Sequence, residues 1–119
     1  MSHRSVELNF ALKPGAAPCV LAGYPTVDVE HGVSVLTAEE MPRGYLGGLP
    51  AGVDLPPSIA LGPGAGARAI VEGPTIDSAG NACPTYTVIR VRPPAATMEF
   101  TFPTLISVCS LQVHPVIQQ

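Results

Sequence analysis

Proline and glycine interrupt this chain so often that long regular elements are ruled out. The 119 residues include 14 prolines and 12 glycines. Both residues are poorly tolerated inside helices, which argues against a helical bundle or a coiled coil. The 46% of hydrophobic residues and the 13% of charged residues argue equally against disorder. We therefore expect one folded domain over residues 1–119, with a single core.

The apolar residues between these breaks follow the period of a β-strand. Val6, Leu8 and Phe10 alternate with more polar neighbours, and Ala67 and Val71 belong to a second alternating run. Such runs recur with turn residues at about 8–12-residue spacing, which is typical of an all-β fold. The sequence predicts an immunoglobulin-like antiparallel β-sandwich of about seven to nine short strands.

Two hairpins can be given a register. For residues 26–37 we predict a three-residue loop, Glu30-His31-Gly32, which places Val29 opposite Val33.

For the second hairpin we predict a four-residue loop over residues 93–96, with Arg90 directly opposite Glu99 and Ile89 opposite Phe100. The chain then turns near Pro103, and a last strand covers about residues 109–116.

The charge distribution argues against nucleic-acid binding, and the one long uncharged stretch does not resemble a transmembrane span. Six basic and nine acidic residues give a net charge of −3, and Lys13 is the single lysine, so the chain lacks a basic surface for nucleic acid. The uncharged stretch over residues 100–119 contains Pro103, Pro115 and several polar residues, so we expect no transmembrane span.

No residue pattern indicates catalysis, a metal or a cofactor. The three histidines are His3, His31 and His114, and none lies beside a nucleophile in a known catalytic motif. The acidic residues Glu39, Glu40 and Asp54 lack the alternating pattern of a calcium loop. We therefore expect no catalytic residues, no metal and no cofactor.

A long irregular connection covers residues 39–57, interrupted at most by one short turn. Connections of this length are often functional, although a surface loop without a ligand is the simpler interpretation. If the protein binds a partner, we expect this candidate interaction loop to be the contact surface, through Arg43, Tyr45, Leu46, Leu49 and Asp54.

The three cysteines, Cys19, Cys83 and Cys109, form no CxxC pair and have no histidine at zinc-ligand spacing. One disulfide with an odd thiol would be natural in a secreted domain. Three buried free thiols, or regulatory thiols in a cytosolic protein, remain alternatives.

The run Cys19-Val20-Leu21-Ala22-Gly23-Tyr24-Pro25 resembles the actinobacterial domain of unknown function 4232 family. The segment Leu61-Gly62-Pro63-Gly64-Ala65-Gly66-Ala67 and the late cysteine pair extend this resemblance over most of the chain. The resemblance implies a β-sandwich in a secreted or lipid-anchored envelope protein, with no established activity. It also implies a disulfide between Cys83 and Cys109 and leaves Cys19 as an unpaired thiol.

Members of that family usually carry another cysteine upstream of the first strand, and this chain has neither that segment nor a signal peptide. We hypothesise that it is a shortened form, or a late-start reading, of a longer exported protein. The expected function is a non-catalytic interaction or cell-envelope module that contacts an unknown protein or envelope partner. The alternative is a small-ligand carrier or an enzyme with a pocket between the sheets.

Overall fold

The computed structural model describes residues 2–119, and its regular elements are all β-strands. Eight strands have four or more residues, and three have only two. The strands are β1 (His3–Phe10), β2 (Cys19–Ala22), β3 (Thr26–His31), β4 (Ser34–Thr37), β5 (Glu39–Glu40), β6 (Ser58–Leu61), β7 (Ala67–Pro74), β8 (Thr85–Arg92), β9 (Phe100–Ser107), β10 (Gln112–Val113) and β11 (Ile117–Gln118). Within the described residues, no helix is long and apolar enough to span a membrane.

The strands form three sheets. The first has the order β1-β7-β10-β5, with β11 also paired to β7, and the second has the order β4-β3-β8-β9. A third, two-stranded sheet pairs β2 with β6. All pairs are antiparallel except β10 with β5.

The two larger sheets pack face to face around the main core. Val71 of β7 and Val113 of β10 lie in one buried cluster with Val27 and Val29 of β3 and Val91 of β8. Alternation along each strand directs these side chains to the same interior. The predicted all-β fold, an antiparallel β-sandwich, is confirmed.

A smaller cluster closes the other end of β7. Ile59 and Leu61 of β6 pack with Ala67, Ala69 and Val116. The two alanines of β7 are fully buried, and their small side chains let β6 approach closely.

The first hairpin differs from the predicted register. His31 pairs with Ser34 and Val29 pairs with Leu36, so the turn contains only Gly32 and Val33. Gly32 has φ +60°, which suits the first central position of a two-residue turn. Val33 is fully exposed, and Leu36 takes the inward position that the three-residue loop had assigned to Val33.

The second hairpin is displaced by two residues from its predicted register. Phe100 pairs with Val91 rather than with Ile89, and Arg90 lies opposite Thr101. The expected ion pair nevertheless forms, since Arg90 Nη1 donates to Glu99 Oε1 diagonally at 2.9 Å. Long side chains reach diagonal neighbours, so the ion pair does not fix the register, and Arg90 also pairs with Glu30.

Three further boundaries were predicted wrongly. Pro103 lies inside β9 instead of ending it. The expected last strand is two short pieces, β10 and β11, separated by residues 114–116. Glu39 and Glu40 form β5 at the edge of the first sheet, where a loop or a single turn was expected.

The cysteines occupy two different environments. Cys83 and Cys109 form a disulfide with a Cα–Cα distance of 4.9 Å, the pair implied by the family resemblance. The bond joins the chain just before β8 to the chain just after β9. Cys19 is a free, exposed thiol at the start of β2.

Candidate functional site

Residues 41–55, here called the anchored loop, run over the outer face of the first sheet. Two glycines allow the close approach: a Cβ on Gly47 would lie 2.7 Å from Ile70 Cγ1, and one on Gly44 would lie 2.7 Å from Glu72 Oε2. A side chain at either position would force the loop or the side chains beneath it to shift. The loop is therefore packed on the sheet and is not a free excursion.

Glu72 is the side chain on which the loop is anchored. It belongs to β7 and alternates with Val71, so it points away from the main core, yet it is only 1% exposed because the loop covers it. Its Oε1 accepts hydrogen bonds from the backbone N–H groups of Tyr45 at 3.0 Å and Leu46 at 3.1 Å. The Leu46 N–H is shared with Oε2 at 3.0 Å.

His114 completes the anchor. It follows β10, has no exposed surface, and places Nε2 2.6 Å from Glu72 Oε2. Its Nδ1 lies 2.8 Å from the backbone oxygen of Met41, where the loop begins. One buried pair thus holds the loop at residue 41 and again at residues 45 and 46.

The hydrogen-bond partners define how many protons the pair holds. A carbonyl oxygen can only accept, so Nδ1 of His114 must donate to Met41. The contact between Nε2 and Glu72 Oε2 then requires one more proton, held by either atom. The pair is neutral overall in both cases, which removes the cost of burying a net charge.

Arg43 fixes the internal shape of the anchored loop. Its guanidinium donates to the backbone oxygens of Leu49 at 3.3 Å and Val53 at 2.6 Å, and its Nη2 forms an ion pair with Asp54 at 2.5 Å. A backbone hydrogen bond from Leu49 N to Pro42 O closes the first part of the loop. The charged groups of Arg43 and Asp54 therefore bind each other within the loop.

The other three predicted contact residues differ in how far their side chains are exposed to solvent. Tyr45 is 81% exposed and Leu46 is 48% exposed, so both can meet a partner. Leu49 is only 6% exposed and packs inward, so little of its side chain is accessible to a partner. Two loop residues that the sequence analysis did not single out, Val53 and Leu55, are 45% and 83% exposed.

Tyr24 lies beside the loop but packs against the main core. Burial raises the pKa of its hydroxyl, and the nearby carboxylates of Glu40 and Asp54 raise it further. Its role is therefore mainly one of packing, at the border between the core and the loop.

The surface formed by residues 2–119 includes two open clefts of similar volume. One, of about 400 Å³, lies beside the anchored loop and is lined by His3, Arg43, Gly44, Tyr45 and Gln112. Its wall includes the rings of His3 and Tyr45, whose centroids are 4.5 Å apart. The other, of about 450 Å³, lies between the glycine-containing turns at residues 11–16 and 62–66.

A profile of the domain of unknown function 4232 family matches residues 1–117, nearly the whole chain. The chain belongs to this family. No curated protein and no solved structure matches it. Family membership therefore names no activity.

Sequence reasoning missed the two residues that matter most to this site. The sequence offers His114 only as one of three histidines without a catalytic motif and does not single out Glu72, and the two residues are 42 positions apart. The local signal is limited to apolar neighbours, since Glu72 directly follows Ile70 and Val71 and His114 lies between Val113 and Pro115. Their pairing depends on β7 lying beside β10, which a single sequence does not reveal.

Proposed function

We propose that this protein is a non-catalytic, extracytoplasmic interaction module whose contact surface is the anchored loop. The observation that carries the proposal is the combination of rigid fixation and apolar exposure. The Glu72–His114 pair holds the backbone at residues 41, 45 and 46, while Tyr45 and Leu55 face the solvent. A loop that is already ordered loses little conformational entropy when it binds.

The burial of the chemistry-bearing pair favours binding over catalysis. Glu72 and His114 are 1% and 0% exposed, and each of their polar side-chain atoms has a protein partner. A catalytic acid or base has to reach the substrate directly or through one water molecule. This pair serves the loop backbone, which is the role of a positioning element.

The core also favours an interaction module over a ligand carrier. Val27, Val29, Val71 and Val113 are 0–1% exposed and meet in one cluster between the two larger sheets. A carrier would need an apolar cavity in that region.

The disulfide supports an extracytoplasmic location, because such bonds persist in oxidising compartments. The envelope location and the actinobacterial origin implied by the family resemblance belong to this proposal. A gel-shift assay with a thiol-alkylating reagent on protein from unbroken cells tests the location. One reactive thiol per chain is expected, and three would contradict it.

Site-specific photo-crosslinking in the native envelope tests the contact surface. A photo-reactive amino acid replaces Tyr45 in one variant and Val33, a fully exposed residue of the first hairpin, in the control. The proposal predicts a discrete crosslinked partner from position 45 and none from position 33. The same crosslinks from both positions, or none from position 45, would contradict it.

A further inference from the structure

Strand β9 leaves one edge of the second sheet open. It is the last strand in the order β4-β3-β8-β9, and within residues 2–119 it pairs with β8 alone. Its outer side therefore carries backbone N–H and C=O groups that no strand satisfies. Such an edge is a template for one more extended chain.

The edge lacks the charges that usually protect such strands. None of the eight residues of β9 is charged, whereas β1, the edge strand of the first sheet, carries Arg4 and Glu7. Protection begins only at Pro103, which has no backbone N–H to offer another strand. Beyond it, two residues of β9 oppose one of β8 between the pairs Val88–Pro103 and Tyr86–Ile106.

The first half of β9 continues the core-facing side of the second sheet, but its apolar side chains are partly exposed to solvent. Phe100 and Phe102 lie opposite Val91 and Ile89, which are each only 3% exposed. The two phenylalanines are nevertheless 39% and 50% exposed, and their rings stack with centroids 6.4 Å apart. Met98 continues the alternation before the strand and is 56% exposed.

Local charges do not oppose the approach of a second identical edge. The whole chain has a net charge of −3, so two copies repel each other in general. At this edge, however, the Glu99 carboxylate accepts hydrogen bonds from Arg90 at 2.9 Å and Arg92 at 3.3 Å. The negative charge of Glu99, beside the exposed phenylalanines, is therefore already balanced by two arginines.

We propose that two copies of the chain associate through this edge, with residues 98–102 pairing antiparallel about a two-fold axis at Phe100. In this register Phe100 faces its own copy, Met98 faces Phe102 of the second copy, and Glu99 faces Thr101 of the second copy. The two-fold axis keeps all the apolar side chains on one face, and Pro103 ends the pairing.

The symmetric pattern of residues 98–102 favours a second copy of the chain as the binding partner. Apolar residues at positions 98, 100 and 102 are symmetric about the centre, so each finds an apolar partner. This interface uses the second sheet, whereas the anchored loop lies on the first sheet, so the proposal does not rest on the proposed function.

Sedimentation velocity over a series of protein concentrations tests association. For the full chain we expect the average mass to rise from 12.3 kDa towards twice that value. Phe100→Lys places two like charges directly opposite each other and should raise the dissociation constant at least about tenfold. Leu105→Lys, at an 81% exposed position beyond Pro103, should behave like the wild type. Circular dichroism verifies that both variants are folded.

Crosslinking tests the register independently, in a Cys19→Ser background. Directly opposite Cβ atoms lie about 4.5–5.5 Å apart, close to disulfide range. Mild oxidation should therefore link Phe100→Cys into dimers more readily than Leu105→Cys. A monomer at every concentration, equal association of Phe100→Lys and the wild type, or preferential linking through position 105 would overturn the proposal. Binding of an unrelated extended peptide to a monomer would overturn it as well.

Discussion

Replacing Glu72 by alanine should be among the most damaging single substitutions in this protein. The change removes the acceptor for the N–H groups of Tyr45 and Leu46 and for Nε2 of His114. Breaking a buried pair by removing one partner costs about 3–5 kcal/mol. Each unsatisfied buried donor costs about 1–3 kcal/mol, but the two backbone donors can regain water if the loop lifts. We therefore expect a loss of about 3–5 kcal/mol, measured by urea denaturation followed by circular dichroism.

Three further variants define the origin of that loss. Glu72→Gln keeps an oxygen for the backbone donors and offers an amide N–H to a neutral His114, so it should cost less than Glu72→Ala. The double variant Glu72→Ala/His114→Ala should lose less stability than the sum of the losses in the two single variants, because the two side chains interact directly. Glu7→Ala is the matched control, since its 3.6 Å ion pair with Arg68 is exposed and is worth about 0–1 kcal/mol. If Glu72→Ala were no more destabilising than Glu7→Ala, the anchoring role would be refuted.

Three other predictions concern the disulfide, the loop packing and the outer charges. Replacing both disulfide cysteines by alanine should lower stability by about 3.5 kcal/mol on the loop-entropy relation for a separation of 26 residues, and an unchanged melting temperature would contradict this. Gly47→Ala should cost about 1–3 kcal/mol through its clash with β7, whereas Gly62→Ala, which meets no atom within 4 Å, should stay within about 0.5 kcal/mol of the wild type. The hydrogen bond from Arg90 lowers the pKa of Glu30 below its ordinary value of 4.5. Its contribution to stability is therefore present above that pH and is lost as the pH falls through the lowered pKa, and Glu30→Gln should remove this part of the acid dependence of the melting temperature.

Local alternation was enough to predict two of the long strands. Val6, Leu8 and Phe10 lie in β1, and the alternating run from Ala67 lies in β7, because the period of two is visible in the sequence itself. Leu8 and Val71 from these runs lie in the main core.

The strand registers were less accessible because they depend on turns and on shared partners. The three-residue turn at Gly32 was predicted because it sets Val29 opposite Val33, but in the structure Leu36 lies opposite Val29 and the turn has two residues. The pair Arg90–Glu99 was expected to fix the second hairpin, but long side chains reach diagonal neighbours as easily as direct ones.

The anchor of the loop could not be predicted at all. The proline- and glycine-rich connection was recognised as a candidate surface, and Tyr45 and Leu46 are indeed exposed. That the loop is fixed follows from Glu72 and His114 meeting across β7 and β10. Such a meeting is a property of tertiary packing, and a single sequence does not show which residues it brings together.

The most direct test of the central claim is amide hydrogen exchange at Tyr45 and Leu46 in the unmodified protein. If the Glu72–His114 pair holds the loop as a preformed surface, both amides should exchange far more slowly than those of an unstructured chain. Their protection should disappear in Glu72→Ala, while amides within β8 stay protected. Exchange of Tyr45 and Leu46 at unstructured rates in the wild type would contradict the account.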